Sequence, residues 1–171
     1  MTRDARREEA LRICLLTVSD TRSASQDESG PLLETGFRTA GHDVLERRLC
    51  PDGEEAVRQA VRGLLRARPD ALVVTGGSGM GPRDRTPEAV DALLDRSLPG
   101  FGELFRQLSY REVGTRALAS RALAGQCGST LLFLLPGSPQ ACRLALEEIL
   151  LPELPHLVRM LRGGGHPGVT S

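Results

Sequence analysis

Lysine and tryptophan are both absent from these 171 residues, and tyrosine occurs once. Without lysine there is no P-loop of the Gly-Lys-Ser/Thr kind, whose ammonium grips phosphate. Aromatics make up 3% of the chain, which leaves no platform for stacking single-stranded nucleic acid. An excess charge of either sign is lacking too: 22 acidic residues offset 22 basic ones, all arginine. No overall field draws the chain to nucleic acid or to an anionic membrane, and neither is expected as a partner. Cys14, Cys50, Cys127 and Cys142 show no C-x-x-C pairing and no histidine at zinc spacing. They read as buried free thiols in a reducing compartment. The opening MTRDARREEA mixes charges without an apolar core, and LRICLLTVS is too short to span a bilayer. A cytoplasmic protein is expected.

What is present is an alternation of element types. Residues 13–18 form a compact apolar run, read as a buried strand. A polar, Ser-rich stretch over 19–29 follows, a length at which loops are often functional. Ser29 is expected to cap a helix with Pro31 in its first turn and its end at Gly41. A second strand fits 42–50. The clearest helix covers 52–68, where Ala56, Val57, Ala60, Val61, Leu64 and Leu65 share one face. Pro69 stops it, and a third strand runs over 71–75. Thr86 and Pro87 read as N-cap and N1 of the next helix. Phe101, Leu104, Phe105 and Leu108 share another helical face, and 130–135 is a strand with too little polarity to face solvent. Ser138 and Pro139 begin a further helix, and Pro152 and Pro155 divide the apolar C-terminal segment.

Strands alternating with helices predict an α/β three-layer sandwich, a mainly parallel sheet with right-handed crossovers and helices on both faces. A single domain is expected over 11–162, between an N-terminal extension at 1–10 and a flexible tail at 163–171. In open sheets of this kind ligands bind beyond the carboxyl ends of the strands. That rule selects the loops at 19–29, 51–53, 76–86 and 136–139.

The third of these loops carries glycines at 76, 77, 79 and 81, then Asp84 between Arg83 and Arg85. A dinucleotide fingerprint belongs at the first strand, and a nucleophile elbow fails because Met80 takes its last position. Two readings remain. The glycines can turn backbone amides toward one point to bind phosphate, aided by the positive end of the helix at Thr86, or they can make a tight strand-to-helix turn. A carboxylate beside a phosphate nest is repulsive unless a cation intervenes. Mg²⁺ bridges one or two carboxylates to substrate phosphates, which would give Asp84 a role; the alternative is a solvated turn residue. Asp52 opens a capping box with Glu55 or serves as a second site carboxylate. Arg83 and Arg85 are phosphate clamps or solvated charges. His42, His156 and His166 read as surface or tail residues.

Taken together and in order, SDTRS, CPDGEE, TGGSGMGPRDRTPEAV, PGFGELFRQLSY, LASRALAG and LPGSPQACRLALE resemble the molybdenum cofactor biosynthesis proteins of the MogA/MoaB type. The resemblance runs from about residue 13 to residue 161 and implies that family's fold. It also implies an adenylyl transfer in which molybdopterin is joined to AMP from Mg-ATP and pyrophosphate is released. Thr75, Gly76, Gly77, Ser78 and Gly79 would then hold the nucleotide. Asp52 and Asp84 match the two aspartates that the family needs for catalysis, and would serve Mg²⁺. Ser19, Asp20, Ser109, Ser120, Pro136, Gly137 and Ser138 match positions lining the pterin and phosphate site. Ser78 stands where the family usually has Thr and keeps the hydroxyl. Pro82, Arg83 and Asp84 are retained, although some paralogues lack them. The resemblance further implies a homotrimer or a dimer of trimers, and the molybdenum insertase as a partner. A molybdopterin-binding or scaffold paralogue without catalysis is the alternative.

Overall fold

Apolar runs too continuous to face water become strands covered on both sides. The computed structural model describes residues 9–21 and 23–164. The extension expected at 1–10 and the tail expected at 163–171 fall largely outside the described residues. The sheet is built from β1 (Arg12–Val18), β2 (Asp43–Cys50), β3 (Ala71–Thr75), β4 (Arg96–Ser97), β5 (Leu123–Cys127) and β6 (Thr130–Leu135). Their order is β2-β1-β3-β6-β5-β4. The first four run parallel, while β5 and β4 are antiparallel additions at one edge. The α/β sandwich with a mainly parallel sheet is therefore as expected.

Six helices, α1 (Ser29–Thr39), α2 (Glu54–Leu65), α3 (Thr86–Asp91), α4 (Pro99–Val113), α5 (Pro139–Ala145) and α6 (Leu151–Leu161), cover the sheet. Alternate strand residues point to opposite faces. Ile13, Leu15, Val73, Phe133 and Leu135 pack with residues of α1, α4, α5 and α6. Cys14, Leu16, Leu72, Val74, Leu132 and Leu134 pack with residues of α2 and α3. Phe133 and Phe101 meet edge to face at 5.2 Å, an arrangement that the aromatic quadrupole favours. Register decides where the loops leave the sheet. Val18 pairs with Cys50, Thr17 with Thr75, and Thr75 with Leu135. The parallel strands thus end flush, and their exit loops emerge side by side.

Several local readings need correction. Ser29 is inside the first turn of α1. Asp27 Oδ1 accepts the Gly30 amide at 2.9 Å, which leaves the Ser29 hydroxyl to donate to the Gly137 carbonyl at 2.8 Å. Helix α2 is shorter than 52–68: it ends at Leu65, and at its start the Asp52 carboxylate turns away from it to accept the Asp20 amide. Strands β4 and β5 have no counterpart in the sequence reading: one is two exposed residues, and LAGQC carries no β-branched residue. Pro152 and Pro155 do not divide the C-terminal segment. A π turn at Leu146–Leu150 joins α5 to α6 without a break, Pro152 sits in the first turn of α6, and Pro155 lies within it. His42 is buried, where its Nδ1 accepts the Leu11 amide at 3.2 Å. Among the described residues no helix is long and apolar enough to cross a membrane.

Phe133 is 1% exposed within the larger apolar cluster. Phe133→Ala should lower unfolding free energy by about 3–5 kcal/mol, with the denaturant slope unchanged, as read by urea titration.

Candidate functional site

Gly76 leaves β3 at φ 101° and Gly77 continues at φ 63°, a left-handed pair that residues with a Cβ rarely adopt. Space demands glycine as well. A Cβ on Gly76 would collide with the Val18 carbonyl oxygen; one on Gly77 would collide with the Thr86 hydroxyl and lie 2.9 Å from Asp52 Oδ1. The loop therefore threads between the end of β1, the start of α3 and the segment after β2. It also closes on itself. The Thr86 amide donates to the Gly77 carbonyl at 3.1 Å, and the Asp84 amide to the Gly81 carbonyl at 3.1 Å. The Gly81 amide returns to Asp84 Oδ2 at 2.9 Å. Thr86 is not the side-chain cap expected for α3: its hydroxyl is buried beneath Gly77, with no partner among the described residues. The amides of Gly77, Ser78 and Gly79 donate to no described residue.

A second anchor comes from Arg121, just ahead of β5. Its Nε and Nη2 donate to the Gly79 carbonyl at 3.1 and 2.8 Å, and Nη2 reaches the Asp84 carbonyl at 2.6 Å. Nη1 meets Glu88 Oε1 at 2.6 Å, and this hydrogen bond holds the Glu88 carboxyl below its ordinary value.

At the ends of β1 and β2, Asp20 and Asp52 grip one another's backbone. The Asp52 amide donates to Asp20 Oδ1 at 2.8 Å, and the Asp20 amide to Asp52 Oδ2 at 3.0 Å. Arg83 pairs with the Asp20 carboxylate. The capping box expected from Asp52 and Glu55 is therefore not made: Gly53 precedes α2 without a side-chain cap, and Glu55 pairs with Arg58 at 3.0 Å. Burial, and then the charge of Asp20, push the Asp52 carboxyl above its ordinary value. The Asp84 charge adds to this, while the Asp20 amide and Arg83 oppose it. Among the described residues no three His, Cys, Asp or Glu side chains converge as a metal cage. Hard oxygen donors are at hand in Asp20, Asp52 and Asp84, of which Asp20 is paired with Arg83.

A cavity of about 410 Å³ opens beside the loop. Gly77, Ser78, Gly79 and Asp84 form one wall. Ser109 of α4 and Ser120, at the exit of the 3-10 helix Gly114–Ala119, contribute hydroxyls, and Pro136, Gly137 and Ser138 come from the loop after β6. Ser138 also caps α5, its Oγ accepting the Ala141 amide at 3.1 Å. Thr75 is buried behind these residues and ties two of the loops, its hydroxyl donating to the Pro136 carbonyl at 2.8 Å. Three separate stretches of sequence are thus brought to one cavity. Gly76, Ser19, Asp20 and Asp52 are not on its wall; they stand at the adjoining strand ends. Glu112 and Arg116 line the cavity, and sequence reasoning missed both. It missed Arg121 as well. That residue lies within the LASRALAG stretch, but its partners are scattered over three other positions and no spacing marks it.

The family model described as "Probable molybdopterin binding domain" matches residues 14–156. The chain belongs to the MogA/MoaB family of molybdenum cofactor biosynthesis proteins. It is 46% identical over 153 residues to Molybdenum cofactor biosynthesis protein B of Staphylococcus epidermidis, covering 86% of this chain and 87% of that one. The protein of the same name from Bacillus cereus is 44% identical over 149 residues, covering 86% and 88%. A crystal structure of Molybdenum cofactor biosynthesis protein B superposes with a TM-score of 0.87 at 41% identity, over 91% of this chain and 98% of that chain.

Because folding raises the Asp52 value, protonated Asp52 favours the native state. That contribution is complete below the ordinary value of 3.8 and is lost as pH rises through the raised native value. Asn mimics the protonated form. Asp52→Asn should match the parent's melting temperature at about pH 3 and exceed it at about pH 7, as thermal unfolding at both values will read.

Proposed function

We propose that the chain carries out the Mg-ATP-dependent adenylylation of molybdopterin. The observation that carries the reading is the run of amides at Gly77, Ser78 and Gly79, which donate to no described residue, on the wall of a cavity that Ser109, Ser120 and Ser138 also line. Such amides suit phosphate, and Ser109, Ser120 and Ser138 suit a polar heterocycle. In the transfer, an oxygen of the molybdopterin phosphate bonds to the α-phosphorus of ATP. The bond from that phosphorus to the bridging oxygen breaks, and pyrophosphate leaves with the electron pair. No covalent nucleophile of the protein is required, so the chain's work is alignment and charge neutralisation. The loop amides donate to phosphate oxygens, and Arg116, which makes no ion pair with a described residue, adds positive charge to the cavity.

Asp52 and Asp84 would hold Mg²⁺ together with substrate phosphates, a donor set of hard oxygens that suits this ion. Burial first, and then the charges of Asp20 and Asp84, push the Asp52 carboxyl up, and like charges gathered there would gain from a cation. Bound there, the ion would offset charge on the phosphate oxygens.

Pyrophosphate release from Mg-ATP that depends on added molybdopterin is the direct test. Its absence would overturn the transferase reading. Asp84→Asn keeps an acceptor for the Gly81 amide and removes the charge. Its turnover should fall on the order of a hundredfold, about 3 kcal/mol, with the melting temperature nearly unchanged. A second reading draws on the bond from the Gly81 amide to Asp84 Oδ2, which already gives Asp84 a task in shaping the loop. Under it the chain binds molybdopterin without transfer, and Asp84→Asn leaves molybdopterin affinity unchanged by calorimetry.

A further inference from the structure

The loop over 76–86 has glycines at four positions, and ordering such a segment is entropically costly. Its internal ties involve Gly77, Gly81, Asp84 and Thr86. From outside, Arg83 is held by Asp20, and the Gly79 and Asp84 carbonyls are held by Arg121. The Arg121 fork is spent in an unusual way. One nitrogen satisfies Glu88, while the remaining contacts go to two backbone carbonyls of the loop. Those carbonyls lie 42 and 37 residues away in sequence, so their capture depends on the tertiary fold.

The chemistry of that capture is directional. In a planar trans peptide the carbonyl and the following amide point in opposite directions. Pinning the Gly79 carbonyl therefore fixes the orientation of the peptide that follows the uncommitted amides of Gly77, Ser78 and Gly79. Pinning the Asp84 carbonyl fixes the main chain that carries the Asp84 carboxylate. A guanidinium does this with planar, directional donors that one ammonium point charge cannot reproduce. Arg121 also turns two carbonyl dipoles toward itself, which removes acceptors that would repel an incoming phosphate.

We infer that Arg121 is the positioning residue that holds the glycine loop in its anion-accepting shape. The inference rests on the phosphate-binding reading of that loop. It assigns Arg121 no contact with substrate; its effect passes through Gly79 and Asp84.

The test uses the full chain and begins without ligand. In Arg121→Gln, hydrogen exchange at the Gly81, Asp84 and Thr86 amides should quicken about tenfold, while the β3 and β6 amides keep their protection. Calorimetry should show Mg-ATP binding weakened about tenfold or more, with molybdopterin affinity less affected. In Arg121→Gly, added guanidinium should restore part of the lost Mg-ATP affinity, a recovery that a general folding defect would not show. Arg121→Lys, which keeps the charge and loses the fork, should fall between parent and Arg121→Gln; it replaces the glutamine variant should that protein not fold. Unchanged exchange in the loop overturns the inference. So does faster exchange with unchanged affinity for both ligands. A parent protein that binds no Mg-ATP refutes the nucleotide reading instead, and the role of Arg121 is then decided by exchange together with molybdopterin affinity.

Discussion

Between the ends of β1 and β3 the main chain comes so near that Gly76 has no room for a side chain, because a Cβ there would strike the Val18 carbonyl oxygen. Parallel pairing causes this crowding. Thr17 is opposite Thr75 in register, so the residues that follow them must leave the sheet at the same level. With β2 and β6 ending at that level too, the loops at 19–29, 51–53, 76–86 and 136–139 share one rim. The positive φ values of Gly76 and Gly77 let the chain turn away immediately and lay the loop over α3. The Thr75 hydroxyl on Pro136 and the Ser29 hydroxyl on Gly137 then bind neighbouring loops into the same rim.

On this scaffold the charges are arranged unevenly. Asp20, Asp52 and Asp84 stand near enough that the first and last add to burial in raising Asp52, yet among the described residues only Asp20 has a cation in contact. Arg121 is turned to the rear of the glycine loop, where carbonyls and Glu88 absorb its donors. The result is a rim where amides that donate to no described residue and crowded carboxylates stand side by side. Phosphate and a divalent cation are mutually compatible occupants of such a surface, whereas either alone leaves one set of charges unanswered.

Legibility in the sequence followed the range of the interaction. The strands at 71–75 and 130–135 were readable to the residue, because an unbroken apolar run bounded by proline or glycine needs no distant partner to identify it. The helix start at Ser138 and Pro139 was readable for the same reason, since the amide that Ser138 caps is three residues on. Asp52 was harder. It sits at a helix start with Glu55 at the right spacing, and nothing nearby reveals that the Asp20 amide, 32 residues away, takes its carboxylate. Ser29 was misread in the same way, its carbonyl partner lying 108 residues off. Pro152 and Pro155 failed as breakers because the π turn ahead of them and burial of Leu154, Pro155 and Val158 keep the helix going.

By itself the sequence determined the layered α/β class, the run of glycines at the end of the third strand and the motif set that marks the family. Each of these is written in local order, as apolar run length, periodicity or contiguous residues. The tertiary structure alone decided which carboxylates face one another, which hydroxyls tie loops together, and that Arg121 reaches the back of the glycine loop. Those outcomes depend on strand register, which brings residues tens of positions apart within hydrogen-bonding distance and leaves no periodic trace in the chain.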